Sequence, residues 1–420
     1  MDKLTDMLIL FSFLVEAGVL VYLERRIWNT LFTPLVFMIL PYTLVLLVTI
    51  AVSGNMGFVQ FYYPSILFWS VGSIIFFIPS LILGYYYNRK IGLPVHANYS
   101  DFELSSAFIW FVRILCLLFV YRFWTVLHTS DELFGSEDFG TDFAGGGLWG
   151  HLRELSCAFL ALFIYKVDKQ HRSYFFYIFI FLLVGLFYQV KGWIIIPCVA
   201  GLATRLITGK LKLRLGLVVR TIVLGFLLFQ VSYILSFTVG GEEEQVTWYM
   251  VEWVAKHFFH YFTSGTFGLS VDTVNGFPDC RSFEVLLAPF YNVYATLAGE
   301  ELISPVNPIY YNPGLNLTNV RTFWGTVYIN GSLLSGISYS LVLSSWIYGS
   351  MIVALVTRHL MFLLCYLFSC SLLAMGWFEF YFFHLSIIEI PFYFCLIFLL
   401  SRCRFNYSGK GEVDKFVDKK

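Results

Sequence analysis

Runs of about twenty apolar residues recur along nearly the whole chain, and that repetition decides what it can fold into. Wound as a helix at about 1.5 Å per residue, each run crosses a hydrocarbon core about 30 Å thick. In that medium every backbone N–H and C=O must be satisfied within the segment, so such runs become helices. Spans are expected near 5–23, 31–52, 64–84, 105–127, 151–165, 173–190, 193–209, 216–238, 324–350, 357–375 and 384–401. Of 420 residues, 58% are hydrophobic and 13% charged, where a soluble chain carries about a quarter charged. The expected fold class is an all-α polytopic membrane protein of about eleven (10–12) transmembrane helices.

Lys and Arg in the short connections set the sidedness. With the N-terminus outside, the inner connections are "ERR" (24–26), "NRK" (88–90), "KVDKQHR" (166–172), "KLKLR" (210–214) and Arg358, joined by the tail from Arg402. The segment 128–150 falls outside and holds five acids and no Lys or Arg. Four regions follow: helices one to eight in 1–238, a large outer loop in 239–322, helices nine to eleven in 323–401, and an inner tail in 402–420. Formal net charge is zero, which leaves no basic footprint for nucleic acid. The eight cysteines lie in or beside apolar runs and form no C-x-x-C pair, so they read as small core residues rather than a zinc site or a disulfide framework.

The loop of 84 residues at 239–322 is far longer than a connector needs. Its stretch "TWYMVEWVAKHFFHYF" (247–262) reads as an interfacial helix, on which His257 and His260, three apart, share a face and offer a base or sugar-binding groups. The loop carries nine acids against three bases, Lys256, Arg281 and Arg321. A guanidinium holds phosphate by paired hydrogen bonds, so Arg281 and Arg321 are candidates for a diphosphate, with a loop-stabilising ion pair as the alternative. Arg122 and Arg153, at outer helix ends, suit either substrate or lipid head groups. Lys191 sits in "YQVKGWIIIP", where the following glycine lets a ligand approach the backbone. Glu16 and Glu389 lie within expected spans, where a carboxyl generally faces protein or water. Tyr310, Tyr311, Phe323, Trp324 and Tyr328 surround Arg321 in sequence and suit either sugar rings or an interfacial belt.

The stretch "NVRTFWGTVYINGSLLSG" (319–336), leading from a late outer loop into a helix, resembles the Wzy-type O-antigen polymerases, the oligosaccharide repeat-unit polymerases of Gram-negative surface polysaccharide assembly. Asn319, Thr322, Phe323, Tyr328, Gly331 and Gly336 fit that family's pattern; Asn330 stands where an acid is usual. The "VKGWIIIP" junction is similar to the family's Arg-Gly turn, with Lys191 in place of arginine, and the R-x10-G signature of some members is not met at Arg281 or Arg321.

The resemblance implies a GT-C-like glycosyltransferase of the bacterial inner membrane, with its site on the periplasmic face. It would join one undecaprenyl-diphosphate-linked oligosaccharide to the end of another and release undecaprenyl diphosphate. The donor carries its own leaving group, so no cofactor, nucleotide fold or metal is expected. Arginines would stabilise the growing charge and the acceptor hydroxyl would need placement and base assistance. Arg321, Arg281 and His260 are the expected catalytic residues. Lys191, Arg153, Arg122, Asn319, Tyr328, Asn330 and His257 are the expected binding residues. Membrane lipids, a chain-length regulator and a flippase are expected partners. The O-antigen ligases share the lipid donor and a late outer loop. A lipid-linked-sugar flippase is the alternative from another class, against which the long loop argues.

Overall fold

The computed structural model describes residues 3–402, apart from 93–97, 131, 133–136, 189, 191, 278–281 and most of 215–246. Among these residues the chain is all-helical, with two isolated β-bridges and no strand. Five helices are long and apolar enough to cross a membrane: α1 (Lys3–Trp28), α2 (Pro34–Val52), α3 (Ile66–Lys90, entered through a 3-10 turn at Tyr63–Ser65), α4 (Ser106–Thr129) and, later, Leu333–Thr357. The protein is therefore a membrane-embedded helical protein. Between α4 and the loop come the short α5 (Glu137–Ala144), α6 (Gly147–Lys166), α7 (Tyr174–Phe187) and α8 (Gly192–Ile207). The expected span at 216–238 lies mostly outside the described residues.

The rest of the chain is α9 (Trp248–Asn275), α10 (Ala288–Ala298), α11 (Phe323–Asn330), α12 (Leu333–Thr357), α13 (Leu360–Ala374) and α14 (Ser386–Arg402). Local chemistry sets several of the starts. Ser105, Thr247, Thr322 and Ser332 each turn a side-chain oxygen onto a backbone N–H of the first turn, satisfying a donor that the helix itself leaves open.

Two expectations change. The single long span at 324–350 is two helices, because Gly331 takes an extended conformation and Ser332 caps a fresh start. The interfacial helix expected at 247–262 continues to Asn275, and its second half, Thr263–Ser270, is buried inside the protein. That half is rich in small residues, so neighbours come close. A Cβ on Gly265 would lie 2.3 Å from the Phe378 carbonyl oxygen, and one on Gly268 2.7 Å from the Val320 carbonyl oxygen. The long loop is thus threaded into the helical body. Phe267 stacks on Phe58 at 5.3 Å, and the Tyr62 N–H donates to Ser270 Oγ at 2.7 Å.

The helix ends that carry Lys166, Arg205 and Arg358 gather at one end of the molecule. There Lys166 pairs with Asp101, Arg205 donates to the Ile164 carbonyl at 2.9 Å, and Ser100 forms a bridge with His359. The candidate groups lie at the other end.

Candidate functional site

Arg321 is the most constrained of the expected residues. It is 1% exposed. Its Nε donates to Asp272 Oδ2 at 2.8 Å, one terminal nitrogen to Asp272 Oδ1 at 3.1 Å, and the other to the Ile309 carbonyl at 3.0 Å. The guanidinium lies 4.5 Å from the centroid of the Tyr311 ring, and the Tyr311 hydroxyl in turn donates to the Ser264 carbonyl. Of the two readings open in the sequence, the geometry favours the loop-stabilising ion pair. Arg321 pins the end of the loop onto α9, and both faces of its fork are spent on protein.

Asn319 and Tyr328 also hold their neighbours. Asn319 donates to the Asn307 carbonyl at 2.8 Å, and Tyr328 packs edge-on to Phe68 and tilted on Phe277, 5.1 and 4.3 Å away. Asn330 donates to the Thr326 carbonyl at 2.8 Å, while its buried Oδ1 has no partner. His257 pairs through Nδ1 with Asn316 at 2.9 Å and stacks on Trp253. His260 lies 5.7 Å from His257 ring to ring, buried, its Nδ1 without a partner; burial pushes its pKa down to about 4. Arg122 and Arg153 converge on the last turn of α5. Arg122 donates to the Asp142 and Phe143 carbonyls and Arg153 to that of Ala144, which places positive charge on a helix C-terminus. Arg281 and Lys191 lie outside the described residues.

Arg153 does more than cap α5. It starts a polar cluster built from four elements at this end of the helices. Its guanidinium lies 3.9 Å over the Tyr188 ring and 5.8 Å from that of Trp193. It pairs with its neighbour Glu154, and both keep a buried atom unpartnered, Arg153 Nε and Glu154 Oε2. From the connection before α14 come Tyr381, edge-on to Trp193 at 5.8 Å, and His384, 5.5 Å from the same ring. His151 and Glu389 are hydrogen-bonded to each other alongside. Gly192 has a physical reason here: a Cβ would lie 2.1 Å from the Tyr381 hydroxyl oxygen. The room expected for a ligand at that glycine is filled by Tyr381.

The same connection carries Glu379, which the sequence reading passed over. Residues 375–385 are held by buried Phe380, Tyr381, Phe382 and Phe383, and the Phe323 N–H donates to the Gly376 carbonyl at 2.7 Å. Glu379 stays half-buried on this fixed backbone. Burial pushes its carboxyl up to about 7.

An apolar cavity of about 440 Å³ opens between α3 and α12, lined among others by Phe68, Gly72, Trp324, Tyr328 and Gly336. A Cβ on Gly72 would fall 2.3 Å from the Trp324 ring, so the glycine lets the indole lie flat against α3 and shape the cavity wall.

Residues 57–407 match the model of a family of unknown function, DUF6337. The chain belongs to that family. Comparison with curated proteins and with solved structures finds no match for it. The DUF6337 match takes in the loop, the split helix at Gly331 and the whole Arg153 cluster.

Proposed function

We propose that this DUF6337 protein is a surface-polysaccharide polymerase: a metal-independent glycosyltransferase of the bacterial inner membrane, with eleven spans, a GT-C-like plan and its site at the periplasmic ends of the helices. It joins undecaprenyl-diphosphate-linked oligosaccharides. The observation that carries the reading is the Arg153 cluster. A cation with a spare buried donor, an aromatic floor of Tyr188, Trp193 and Tyr381, and a neighbouring histidine come together from separate elements at the helix ends.

Such a group suits the chemistry. As the anomeric C–O bond breaks, charge grows on the leaving diphosphate, and a preorganised guanidinium in a poorly hydrated site stabilises it. Arg153 takes that role in place of Arg321, with Lys191 and Arg281 as further cations. Aromatic faces beside polar groups suit sugar rings. The apolar cavity between α3 and α12 suits a polyprenyl chain.

A lipopolysaccharide gel of the source strain, with the gene deleted and then restored, tests the reading. The deletion is expected to lose the polymer ladder and leave core bearing one repeat unit, and restoration to bring the ladder back. Bare core with accumulated lipid-linked polymer would identify a ligase instead, and bare core without polymer a flippase. An unchanged ladder would sink the assignment.

A further inference from the structure

We propose that Glu24 is the anionic ligand of a buried site for one monovalent alkali cation, completed by the hydroxyls of Thr33 and Ser80. The site lies apart from the Arg153 cluster, and the inference does not depend on the polymerase reading.

In sequence Glu24 opens "ERR", an inner connection. In the structure it belongs to α1 and is 0% exposed, whereas Arg25 and Arg26 beside it are exposed. Both α1 and α3 are long and apolar enough to cross a membrane, and both end at this level in basic residues, α3 in Arg89 and Lys90.

Four elements meet around the Glu24 carboxyl. From α12 the Tyr348 hydroxyl donates to Glu24 Oε1 at 2.7 Å and accepts from the Leu35 N–H, in the first turn of α2, at 3.3 Å. One turn on from Glu24, Trp28 stacks on the Tyr348 ring, centroids 5.7 Å apart, and its Nε1 donates to Ser80 Oγ of α3 at 2.9 Å. These contacts bring Ser80 and Thr33, the N-cap residue of α2, beside the carboxyl. Thr33, Ser80 and Tyr348 are all fully buried.

What the site lacks is positive charge. Among the described residues, the hydrogen bond to the Glu24 carboxyl comes from Tyr348 and no Lys, Arg or His pairs with it. Glu24 Oε2 has no partner, and neither has Thr33 Oγ1. Thr33 makes no side-chain hydrogen bond to cap α2. Ser80 Oγ accepts from Trp28 and keeps a second lone pair. Oxygens from three elements thus have unspent acceptor capacity around one carboxyl, and a buried polar atom left so is costly.

The arrangement favours a charged carboxylate. A tyrosine proton on Oε1 and the positive end of α2 both stabilise it. Burial opposes the charge, and a counter-ion relieves that cost. The groups facing it from α13, Tyr366 and Cys370, bring no cation, and Tyr366 gives its proton to the Phe32 carbonyl at 2.7 Å. One carboxylate among neutral hydroxyls balances one positive charge. A divalent ion would leave a net charge buried. The bound ion would tie α1 to α2 and α3.

The test follows thermal unfolding of the purified full-length protein in detergent near neutral pH. NaCl or KCl replaces choline chloride at constant ionic strength, choline being too large for the site. Either salt is expected to raise the unfolding temperature saturably, by about 2–4 °C. Glu24→Gln, which keeps the shape and removes the charge, is expected to lose that rise. Thr33→Val and Tyr348→Phe are each expected to raise the midpoint salt concentration by at least about tenfold. No rise in the wild type with either salt would overturn the site. Stability that answers to pH but to neither salt would mean a proton on Glu24, and overturns it likewise. A rise of wild-type size and midpoint in Glu24→Gln would place the cation elsewhere. Should Glu24→Gln fail to accumulate, Thr33→Val decides, and an unchanged midpoint overturns the proposal.

Discussion

A guanidinium shut away from water without an anion costs several kcal/mol, so Arg321 and Asp272 depend on each other. Removing either is expected to destabilise the protein by about 3–5 kcal/mol. Arg321→Ala and Asp272→Ala should therefore deplete the protein from membranes to the same degree, and Arg321→Met with Asp272→Leu should recover much of the loss, read as abundance and thermal shift in detergent. Normal abundance of Asp272→Ala would return Arg321 to a ligand-binding role. The sequence marks Arg321 as unusual, but not its partner 49 residues earlier. An ion pair of that separation depends on how two elements pack, which no local spacing encodes. Glu379 is the one acid between Glu301 and Glu389, a signal in plain view. Its setting is not legible there, because "GWFEFYFFHL" (376–385) reads as a gap between spans, and burial of a gap shows only in three dimensions.

At the scale of elements, the apolar runs were legible because period and length are local properties. α1 to α4, α13 and α14 fall within a few residues of the expected spans. The split at Gly331–Ser332 and the inward course of α9 were not, since both depend on tertiary contacts overriding a continuous apolar or amphipathic pattern. The start of α11 shows how local and distant bonds combine. Thr322 Oγ1 accepts from the Gly325 N–H at 3.3 Å as a cap and from Trp69 Nε1 of α3 at 3.2 Å. Thr322→Ala removes the cap, worth about 1 kcal/mol, and leaves a buried indole N–H unpaired, costing about 1–3 kcal/mol more. A loss of about 2–4 kcal/mol in detergent unfolding is expected, and Thr322→Ser should restore most of it. If Thr322→Ala matched wild type, the Trp69 bond would not be holding α11 to α3.

At the scale of the whole molecule, the two ends are held by different chemistry. The end that carries the candidate site is packed with aromatics around a few shielded charges, whereas the basic end is tied by ionic contacts. Asp101, between α3 and α4, joins α6 to the segment after α8: Lys166 pairs with it, Lys210 lies 3.4 Å from its Oδ2, and the Tyr165 hydroxyl donates to it at 3.0 Å. Partial burial pushes the Asp101 carboxyl up, but the hydrogen bond and charge of Lys166, with the Phe102 N–H and Lys210, outweigh it and hold the pKa below the usual carboxylate value. A carboxyl lowered in the folded state binds fewer protons there than in the unfolded chain. Its stabilisation is thus present above about pH 4, the ordinary Asp value, and is lost as pH falls through the lowered folded one. The folded protein in detergent should therefore lose stability as pH falls below about 4. Asp101→Asn should unfold at lower temperature than wild type near neutral pH, and the gap should close in acid. The side chain is partly open to water, so the gap is expected to be modest and to narrow in high salt. A gap that persists undiminished at pH 3 would mean that Asp101 acts through shape and hydrogen bonding rather than charge, and that the basic end is closed by its backbone contacts at Ser100 and Arg358.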